Sequence, residues 1–280
     1  MAHAIRITGG EKVDLGAIDP KGDKKLVRAD AEARFAELAA ELGEIQELLY
    51  AAGSAGVLVV LQGLDTSGKD GTIRHVFRDA NPQGTRIVSF KVPTPQERGH
   101  DFLWRIHQQT PERGMLTVFN RSHYEDVLVA RVHELVPEPT WRARYQHILD
   151  FERLLADHGT IVVKFYLHIS KEEQEERLLA RERDVEKAWK LSAGDWVERR
   201  SWDRYIAAFE DALSTCATDH APWYVVPADR KWYRNLAVAE ALVETLASSV
   251  PGWLEALRHR GEAELAAIRA ARAETQGGRR

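Results

Sequence analysis

Apolar residues follow two different periods in the first quarter of the chain. Between residues 23 and 52 they recur at alternating steps of four and three residues, which predicts an amphipathic helix. The run 57–61 is apolar at every position, as is typical of a central strand in a parallel sheet. Residues 1–23 contain several glycines and show little periodicity, so we expect either an extended arm on the surface or a disordered tail.

Strand-like and helix-like patterns then alternate along most of the chain. The β-rich runs are 57–61, 86–92, 115–119, 160–169 and 223–226. The helical patterns lie near 69–80, 95–110, 123–134, 140–158, 171–190, 195–215 and 231–248. This alternation predicts an α/β fold with a central five-stranded parallel sheet that is flanked by helices on both faces.

The same patterns divide the chain into three parts. We expect an N-terminal arm over 1–23, a main domain over 24–250 and a C-terminal helical tail over 251–280. The tail contains a charged, alanine-rich helical pattern over 253–274, which we expect to be a solvated or packing appendage rather than a binding element.

Composition and charge exclude several classes of protein. Apolar residues make up 44% and charged residues 29%, which is an ordinary globular balance. The net charge of -4 excludes a generally basic nucleic-acid coat, and the single cysteine excludes a disulfide framework and a Cys-rich zinc site. No apolar run is long enough for a membrane span, and the N-terminus lacks the apolar core of a signal peptide. We therefore expect a cytoplasmic protein that binds neither nucleic acid nor membranes.

The strongest motif is GLDTSGKDG at 63–71, which fits the pattern G-x-x-x-x-G-K. It directly follows the all-apolar strand and runs into a predicted helix. The backbone N–H groups of such a loop bind phosphate oxygens, and Lys69 can place its charge on the transferred phosphate. We therefore predict a P-loop kinase fold. The predicted phosphate-binding residues of the loop and the following helix are Gly63, Ser67, Gly68, Lys69, Asp70, Gly71 and Arg74.

Two acidic residues in the loop predict a divalent cation. The Ser or Thr that usually follows the lysine is Asp70 here, and Asp65 lies inside the loop. Carboxylates beside phosphate repel it unless a cation lies between them, so we expect Mg²⁺, or alternatively Mn²⁺, with Asp65 as a ligand. Asp70 is either a second ligand or only a cap of the first helical turn.

A second polar cluster, NRSHYED, follows the third β-rich run, and ligands of open α/β sheets bind outside the carboxyl ends of the strands. Arg121 is the natural phosphate contact. We expect Asn120 and Glu125 to bind the metal or the acceptor, and Tyr124 to contact the acceptor. For Glu125 the alternative is a capping box that begins at Ser122.

The segment 171–204 follows the fourth β-rich run and contains nine basic and ten acidic residues. Arg177 and Arg181 are four residues apart and share a helical face. In nucleoside monophosphate kinases a helical lid at this place brings arginines over the phosphates, so we predict a lid, with a solvated helical pair as the alternative. Further cations and aromatic residues expected in the lid include Lys187, Trp189, Lys190, Trp196 and Trp202.

Together these motifs resemble the polyphosphate kinase family 2, over about residues 30–250. The resemblance rests on GLDTSGKDGTIRHV, NPQG, FKVPTP, HDFLWRIH, FNRSHYEDVLVARV, KAWKLSAGDWVERRSWDRY and APWYVVPADRKWYRN. It implies Mg²⁺-dependent, reversible phosphorylation of nucleotides by inorganic polyphosphate, with Asp65 and Lys69 essential. It also implies that Arg121, Arg177 and Arg181 contact phosphates and that the protein forms a homo-oligomer.

The residues of the second polar cluster, NRSHYED, bear on which nucleotides the protein accepts as substrates. Many members of the family have Asp where this chain has Asn120. The NRSHYED form, with Asn120 and Glu125, resembles the subgroup that phosphorylates both nucleoside mono- and diphosphates. Asn120 is a weaker metal ligand than an aspartate.

A polymeric anion also needs a track of positive charge. Candidates for this track are Lys24, Lys25, Arg28, Arg74, Arg78, Lys91 and Arg131. Two other functions remain compatible with the sequence: an ATP-dependent nucleoside or nucleotide kinase on the same fold, and a polyphosphate- or nucleotide-binding module without turnover.

Overall fold

The computed structural model describes residues 3–7, 9–184 and 193–277. The strands are β1 Ile5–Ile7, β2 Gly56–Gln62, β3 Thr85–Ser89, β4 Leu116–Asn120, β5 Thr160–His168 and β6 Trp223–Pro227. The first helices are α1 Arg28–Ala52, α2 Lys69–Val76, α3 Pro95–Arg98, α4 Trp104–His107, α5 Glu125–Val132 and α6 Glu138–Asp157. The later helices are α7 Lys171–Glu182, α8 Ala193–Arg199, α9 Trp202–Cys216, α10 Lys231–Ala247 and α11 Val250–Gly277. No helix in these residues is long and apolar enough to cross a membrane.

The strands form one sheet in the order β1-β6-β5-β2-β4-β3. The predicted parallel sheet is confirmed for β2 to β6, and the all-apolar strand β2 lies between β4 and β5. The prediction of five strands was wrong by one, because β1 pairs antiparallel with β6 and lengthens the sheet. Only one side chain of this three-residue strand is buried, so it carries no alternating pattern that a sequence could reveal.

The position of β2 in the middle of the sheet explains why its sequence is apolar throughout. All five side chains of 57–61 are fully buried. Val57, Val59 and Leu61 pack with α1, α2 and α10 on one face of the sheet, while Leu58 and Val60 pack with α5, α6 and α9 on the other face. The next residues after this doubly covered strand form the phosphate loop, so the loop stands on the most buried part of the core.

Two predicted helices differ in the structure. The pattern at 95–110 forms two single turns. Helix α3 ends at Arg98, and the Asp101 carboxylate then accepts a hydrogen bond from the Leu103 backbone N–H and starts a new turn. Helix α7 ends at Glu182. Lys187, Trp189 and Lys190, which we predicted to belong to a lid, lie outside the described residues.

Candidate active site

The phosphate loop is the turn between β2 and α2, and its backbone requires glycine at two positions. Gly63 and Gly68 have φ angles of 153° and 104°. A Cβ atom at Gly63 would lie 2.7 Å from Ser67 Oγ, and one at Gly68 would collide with the guanidinium of Arg234. Neither the backbone angles nor the space would accept a larger residue, so the loop passes closely over the side chains beneath it.

Lys69 begins α2 and turns back over this loop. Its Nζ donates hydrogen bonds to the carbonyl oxygens of Gly63 at 2.7 Å and Leu64 at 3.2 Å. The side chain is buried, and burial, followed by the charge of Arg121, lowers the pKa of Lys69 to about 8. The lysine is thus a desolvated cation that has backbone oxygens as its hydrogen-bond partners.

Arg121 links the loop to α5 through two carboxylates. Its Nη2 lies 2.7 Å from Asp65 Oδ1 and its Nη1 lies 3.3 Å from Glu125 Oε2. Burial opposes the charged form, but Glu125 and Asp65 raise the pKa of Arg121 above its ordinary value. Glu125 is therefore an ion-pair partner at the site.

Asn120 contacts Asp70, the second acidic residue of the phosphate loop motif. Its Nδ2 donates a hydrogen bond to Asp70 Oδ1 at 2.8 Å, so the amide orients the carboxylate. Among the described residues no group of three or more His, Cys, Asp or Glu side chains could hold a metal ion. Asp65 and Asp70 nevertheless line one cavity, and Mg²⁺ is typically bound by one or two carboxylates together with substrate phosphates. These two carboxylates fit that kind of site.

A cavity of about 790 Å³ joins the two motifs. It lies at the carboxyl ends of β2 and β4, where the sequence predicted ligand binding. The predicted residues that line it are Asp65, Gly68, Lys69, Asp70, Gly71, Arg74, Asn120, Arg121, Glu125 and Arg181. Lys91, a candidate for the positive track, also lines the cavity.

Two predicted residues, one just before α5 and one within it, do not line the cavity. Tyr124 is fully buried, donates a hydrogen bond to Glu152 Oε1 at 2.8 Å and accepts one from Lys164 Nζ. Arg131 pairs with Asp211 at 2.5 Å and does not line the cavity. Tyr124 turns towards Glu152 in the core, and Arg131 turns towards Asp211 on α9. The expected acceptor contact of Tyr124 and phosphate contact of Arg131 are therefore not supported.

Tyr124 belongs to a buried polar network behind the cavity. Lys164, Glu152 and His123 are all fully buried, and Lys164 Nζ forms an ion pair with Glu152 Oε2. Burial opposes ionisation of Glu152, but Lys164 and His123 hold its pKa below the ordinary value. This network fixes the start of α5 to β5 and α6, and so holds Arg121 and Glu125 in place.

Arg177 lies beneath the loop rather than over the cavity. Its Nη1 donates to the carbonyl oxygens of Thr66 and Ser67, and its Nη2 donates to those of Ala228 and Asp229, at 2.7–3.2 Å. Its Nε donates to Glu173 Oε1 at 2.7 Å. All three nitrogens therefore bind protein oxygens. Arg181, one turn later on α7, lines the cavity.

Ser67 also lies on the inner side of the loop. The residue is fully buried, and its backbone N–H donates to Leu64 O at 3.1 Å. Its Oγ has no hydrogen-bond partner within the described part of the chain. Ser67 therefore supports the tight turn, and its predicted phosphate contact stays a prediction.

Two arginines at the site were missed by the sequence analysis. Arg234 is buried beneath Gly68, and burial, followed by the charge of Arg177, lowers the pKa of Arg234 to about 10. Arg105 lines the cavity, and its Nη1 donates to Lys91 O at 2.8 Å. Both residues lie in motifs that carry the family resemblance, so reading those motifs residue by residue could have found them.

Comparison with known proteins gives consistent matches. The family described as Polyphosphate kinase 2 (PPK2) matches residues 25–251. The chain is 52% identical to an AMP/ADP-polyphosphate phosphotransferase of Meiothermus ruber, over 86% of this chain and 91% of that protein. It is 44% identical to an ADP-polyphosphate phosphotransferase of Rhodopseudomonas palustris, over 87% of this chain and 89% of that protein. The crystal structure of polyphosphate kinase 2 from Arthrobacter aurescens TC1 matches with a TM-score of 0.83 and 44% identity, over 85% of this chain and 87% of that chain.

Proposed function

This chain belongs to the polyphosphate kinase 2 family, and we propose that it transfers phosphoryl groups from inorganic polyphosphate to nucleoside mono- and diphosphates. One observation carries the proposal for this chain. Lys69, Arg121 and Arg181 line the same cavity as the carboxylates Asp65 and Asp70. Such a cavity can hold two phosphate groups and a divalent cation at once.

The chemistry needs alignment and charge neutralisation more than a base. The terminal phosphate of an acceptor nucleotide is ionised at pH 7, so its oxygen can attack the terminal phosphorus of polyphosphate directly. The new P–O bond forms as the bond to the next phosphate of the chain breaks, and a shortened polyphosphate leaves. Lys69 and the arginines stabilise the negative charge of the transferring group, as in other phosphoryl transfers.

We propose Mg²⁺ as the cofactor, with Mn²⁺ as an alternative. Asp65 and Asp70 would hold it, and Asn120 would orient Asp70 through the hydrogen bond already described. When bound, the cation neutralises phosphate charge between the two carboxylates and the substrate. Glu125 acts mainly on Arg121, with which it is paired.

The entrance of the cavity suits a nucleoside. Val92 and Leu135 line the cavity and are 83% and 65% exposed, more than any other large apolar side chain in the described part of the chain. Pro93 lies beside them. We propose that the base and ribose contact this apolar rim while the phosphates extend inward to Lys69. Lys91 and Arg74, at the same cavity, are the best placed of the candidate cations for polyphosphate.

A direct assay tests the proposal. Purified protein is incubated with Mg²⁺, polyphosphate and either AMP or ADP, and the nucleotides are separated by chromatography. We expect ADP and ATP from AMP, and ATP from ADP. Product from one acceptor alone would contradict the dual specificity. Activity with ATP and a nucleoside but none with polyphosphate would favour the ATP-dependent alternative, and binding without transfer would favour the non-catalytic one.

Two further expectations belong to this proposal. Nucleotides as substrates are consistent with a cytoplasmic location, which stays a prediction. Self-association also stays a prediction, and a measurement of the mass of the full chain in solution would test it.

A further inference from the structure

Arg234, on α10, packs directly against the inner side of the phosphate loop. The residue is 2% exposed and does not line the cavity. A Cβ atom at Gly68 would collide with its Nη1, and one at Gly71 would lie 3.2 Å from its Nη2. Gly68 and Gly71 themselves line the cavity on the outer side of the loop. The guanidinium is therefore separated from the cavity by the backbone of the loop and by no side chain of these two residues.

The charge of Arg234 has no carboxylate partner within the part of the chain that the structure describes. Its Nε and Nη2 donate to Asn235 Oδ1, a neutral acceptor, at 3.2 and 2.8 Å. Burial, followed by the charge of Arg177, lowers the pKa of Arg234 to about 10, so the guanidinium stays charged at neutral pH. A charge that leaves water without an ionic partner is costly, so we expect Arg234 to destabilise the free protein.

Arg177, the other arginine beneath the loop, differs in this respect. It forms an ion pair with Glu173 and donates to four carbonyl oxygens. These contacts are enough to explain why an arginine is buried there. For Arg234, two hydrogen bonds to the neighbouring side chain do not explain it, because a well-packed apolar residue of similar size would avoid the cost of burying a charge.

A phosphate in the cavity would supply the counter-charge that Arg234 lacks. The backbone N–H groups of a phosphate loop bind phosphate oxygens on its outer side, directly across the backbone from this guanidinium. Charges that face each other through buried protein are screened little by solvent or salt. We propose that Arg234 is a positioning residue for the substrate: without touching it, the buried charge acts through the backbone of the loop and holds a phosphate chain against the loop.

This inference rests on the proposed function for the identity of the ligand, and it predicts a kinetic role different from that of Lys69. Arg234 is fixed by packing and does not follow the transferred group. Its charge therefore stabilises the bound substrate and the transition state alike, which changes KM rather than kcat. In the turnover assay, Arg234→Met should raise KM for polyphosphate about tenfold and leave kcat nearly unchanged.

The first experiment measures binding of inorganic tripolyphosphate to the full chain, in the presence of Mg²⁺, by isothermal titration calorimetry. Arg234→Met should raise Kd about tenfold, because the charge is lost while the length of the side chain is kept. Arg234→Lys keeps a charge and should retain most of the affinity. The matched control is Arg230→Met, which removes the same charge one turn earlier, where the side chain donates to Lys21 O and Asp23 O. This control should bind as the natural protein does.

The second experiment separates this role from a structural one by urea denaturation. Without phosphate, Arg234→Met should be at least as stable as the natural protein, because a buried charge without an ionic partner has been removed. Added Mg²⁺ and tripolyphosphate should raise the midpoint of the natural protein more than that of Arg234→Met, because a ligand stabilises the folded state according to its affinity. A residue that only supports the fold would give a less stable variant and an unchanged affinity.

The proposal is overturned if Arg234→Met binds tripolyphosphate as the natural protein does, or if it is less stable or unfolded without phosphate. Equal losses of affinity in Arg234→Met and Arg234→Lys would assign the effect to side-chain shape and overturn it as well, and an equal loss in Arg230→Met would assign it to net charge.

These measurements do not depend on turnover, so the two proposals can fail separately. A protein that binds tripolyphosphate through Arg234 but transfers no phosphoryl group would contradict the proposed function alone. A natural protein that transfers phosphoryl groups but does not bind tripolyphosphate would overturn the role of Arg234 alone.

Discussion

The two sides of the phosphate loop hold positive charge in different ways. On the cavity side, Lys69 and Arg121 line a cavity that a phosphate can enter, and their partners are two carbonyl oxygens and two carboxylates. Beneath the loop, Arg177 and Arg234 are buried, and Arg177 binds only protein oxygens. Cations on the first side can meet a substrate, whereas those on the second side shape the loop that the substrate meets.

The largest expected effect comes from the cavity side. Lys69→Ala should lower kcat by about 10³-fold, because a desolvated charge at the transferring phosphate is lost. The fold should persist, since burial already disfavours the charged form of this lysine. Initial rates and a thermal unfolding curve measure both effects, with the exposed Lys12→Ala as control. Near-normal turnover in a folded Lys69→Ala protein would refute the phosphate-loop assignment.

Arg177 and Arg181 lie one turn apart on α7 but on different sides of the phosphate loop, so replacing each of them tests the difference between the two sides. Arg181→Met should lower kcat/KM by about 10²-fold and leave the free energy of unfolding unchanged, because the side chain lines the cavity. Arg177→Met should lower the free energy of unfolding by about 3 kcal/mol, because several buried carbonyl oxygens lose their donors. Urea denaturation and steady-state kinetics separate the two. If both variants changed the same quantity, the division into two sides would fail.

The pKa of Lys69 predicts a pH dependence. Because burial lowers this pKa to about 8, the charged form is lost as the pH rises through that value. We expect kcat/KM, which reports on the free enzyme, to fall by up to about tenfold per pH unit above it. Lys69→Arg should remove this limb of the profile, since a guanidinium stays charged. A profile of Lys69→Arg that matches the natural protein would assign the limb to another group.

As the pH rises, the contribution of Lys69 to the free energy of unfolding should increase, whereas kcat/KM should fall. In the unfolded chain a lysine keeps its proton up to about pH 10.4. Between the two pKa values the unfolded state therefore binds more protons than the folded state, and the contribution of Lys69 to the free energy of unfolding increases with pH. Comparing urea denaturation of the natural protein and Lys69→Ala across this window isolates the contribution.

The smallest expected effect concerns acceptor choice. Asn120→Asp replaces the amide that donates to Asp70 with a second carboxylate, so Asp70 should shift and its affinity for a cation should change. We expect the ratio of kcat/KM for AMP and ADP to change by about three- to tenfold, an effect of about 1 kcal/mol. Asn120→Ser, which can still donate a hydrogen bond, is the matched control. Equal ratios in all three proteins would remove Asn120 from the choice of acceptor.

The sequence predicted what depends on local backbone chemistry. The position of the phosphate loop follows from its glycines, its lysine and the all-apolar strand before it. The meeting of this loop with the cluster after β4 follows from a general property of parallel sheets.

What the sequence could not predict is the direction of individual side chains. Arg177 and Arg181 share a face of α7, yet the first reaches beneath the loop and the second reaches the cavity. Tyr124 and Glu125 are neighbours in one motif, but Tyr124 is buried in the core whereas Glu125 lines the cavity. Arg234 comes from a distant part of the chain, and only the packing of α10 against α2 brings it under Gly68.

The strand β1 has a consequence for the order in which the protein folds. Ile5 pairs with Val225, so the two strands of this pair are separated by most of the sheet-forming part of the chain. Closing so long a loop is entropically costly, and three residues offer few hydrogen bonds in return. The arm should therefore dock last, after β6 has joined the parallel strands, and its protection from hydrogen exchange would mark the completion of folding.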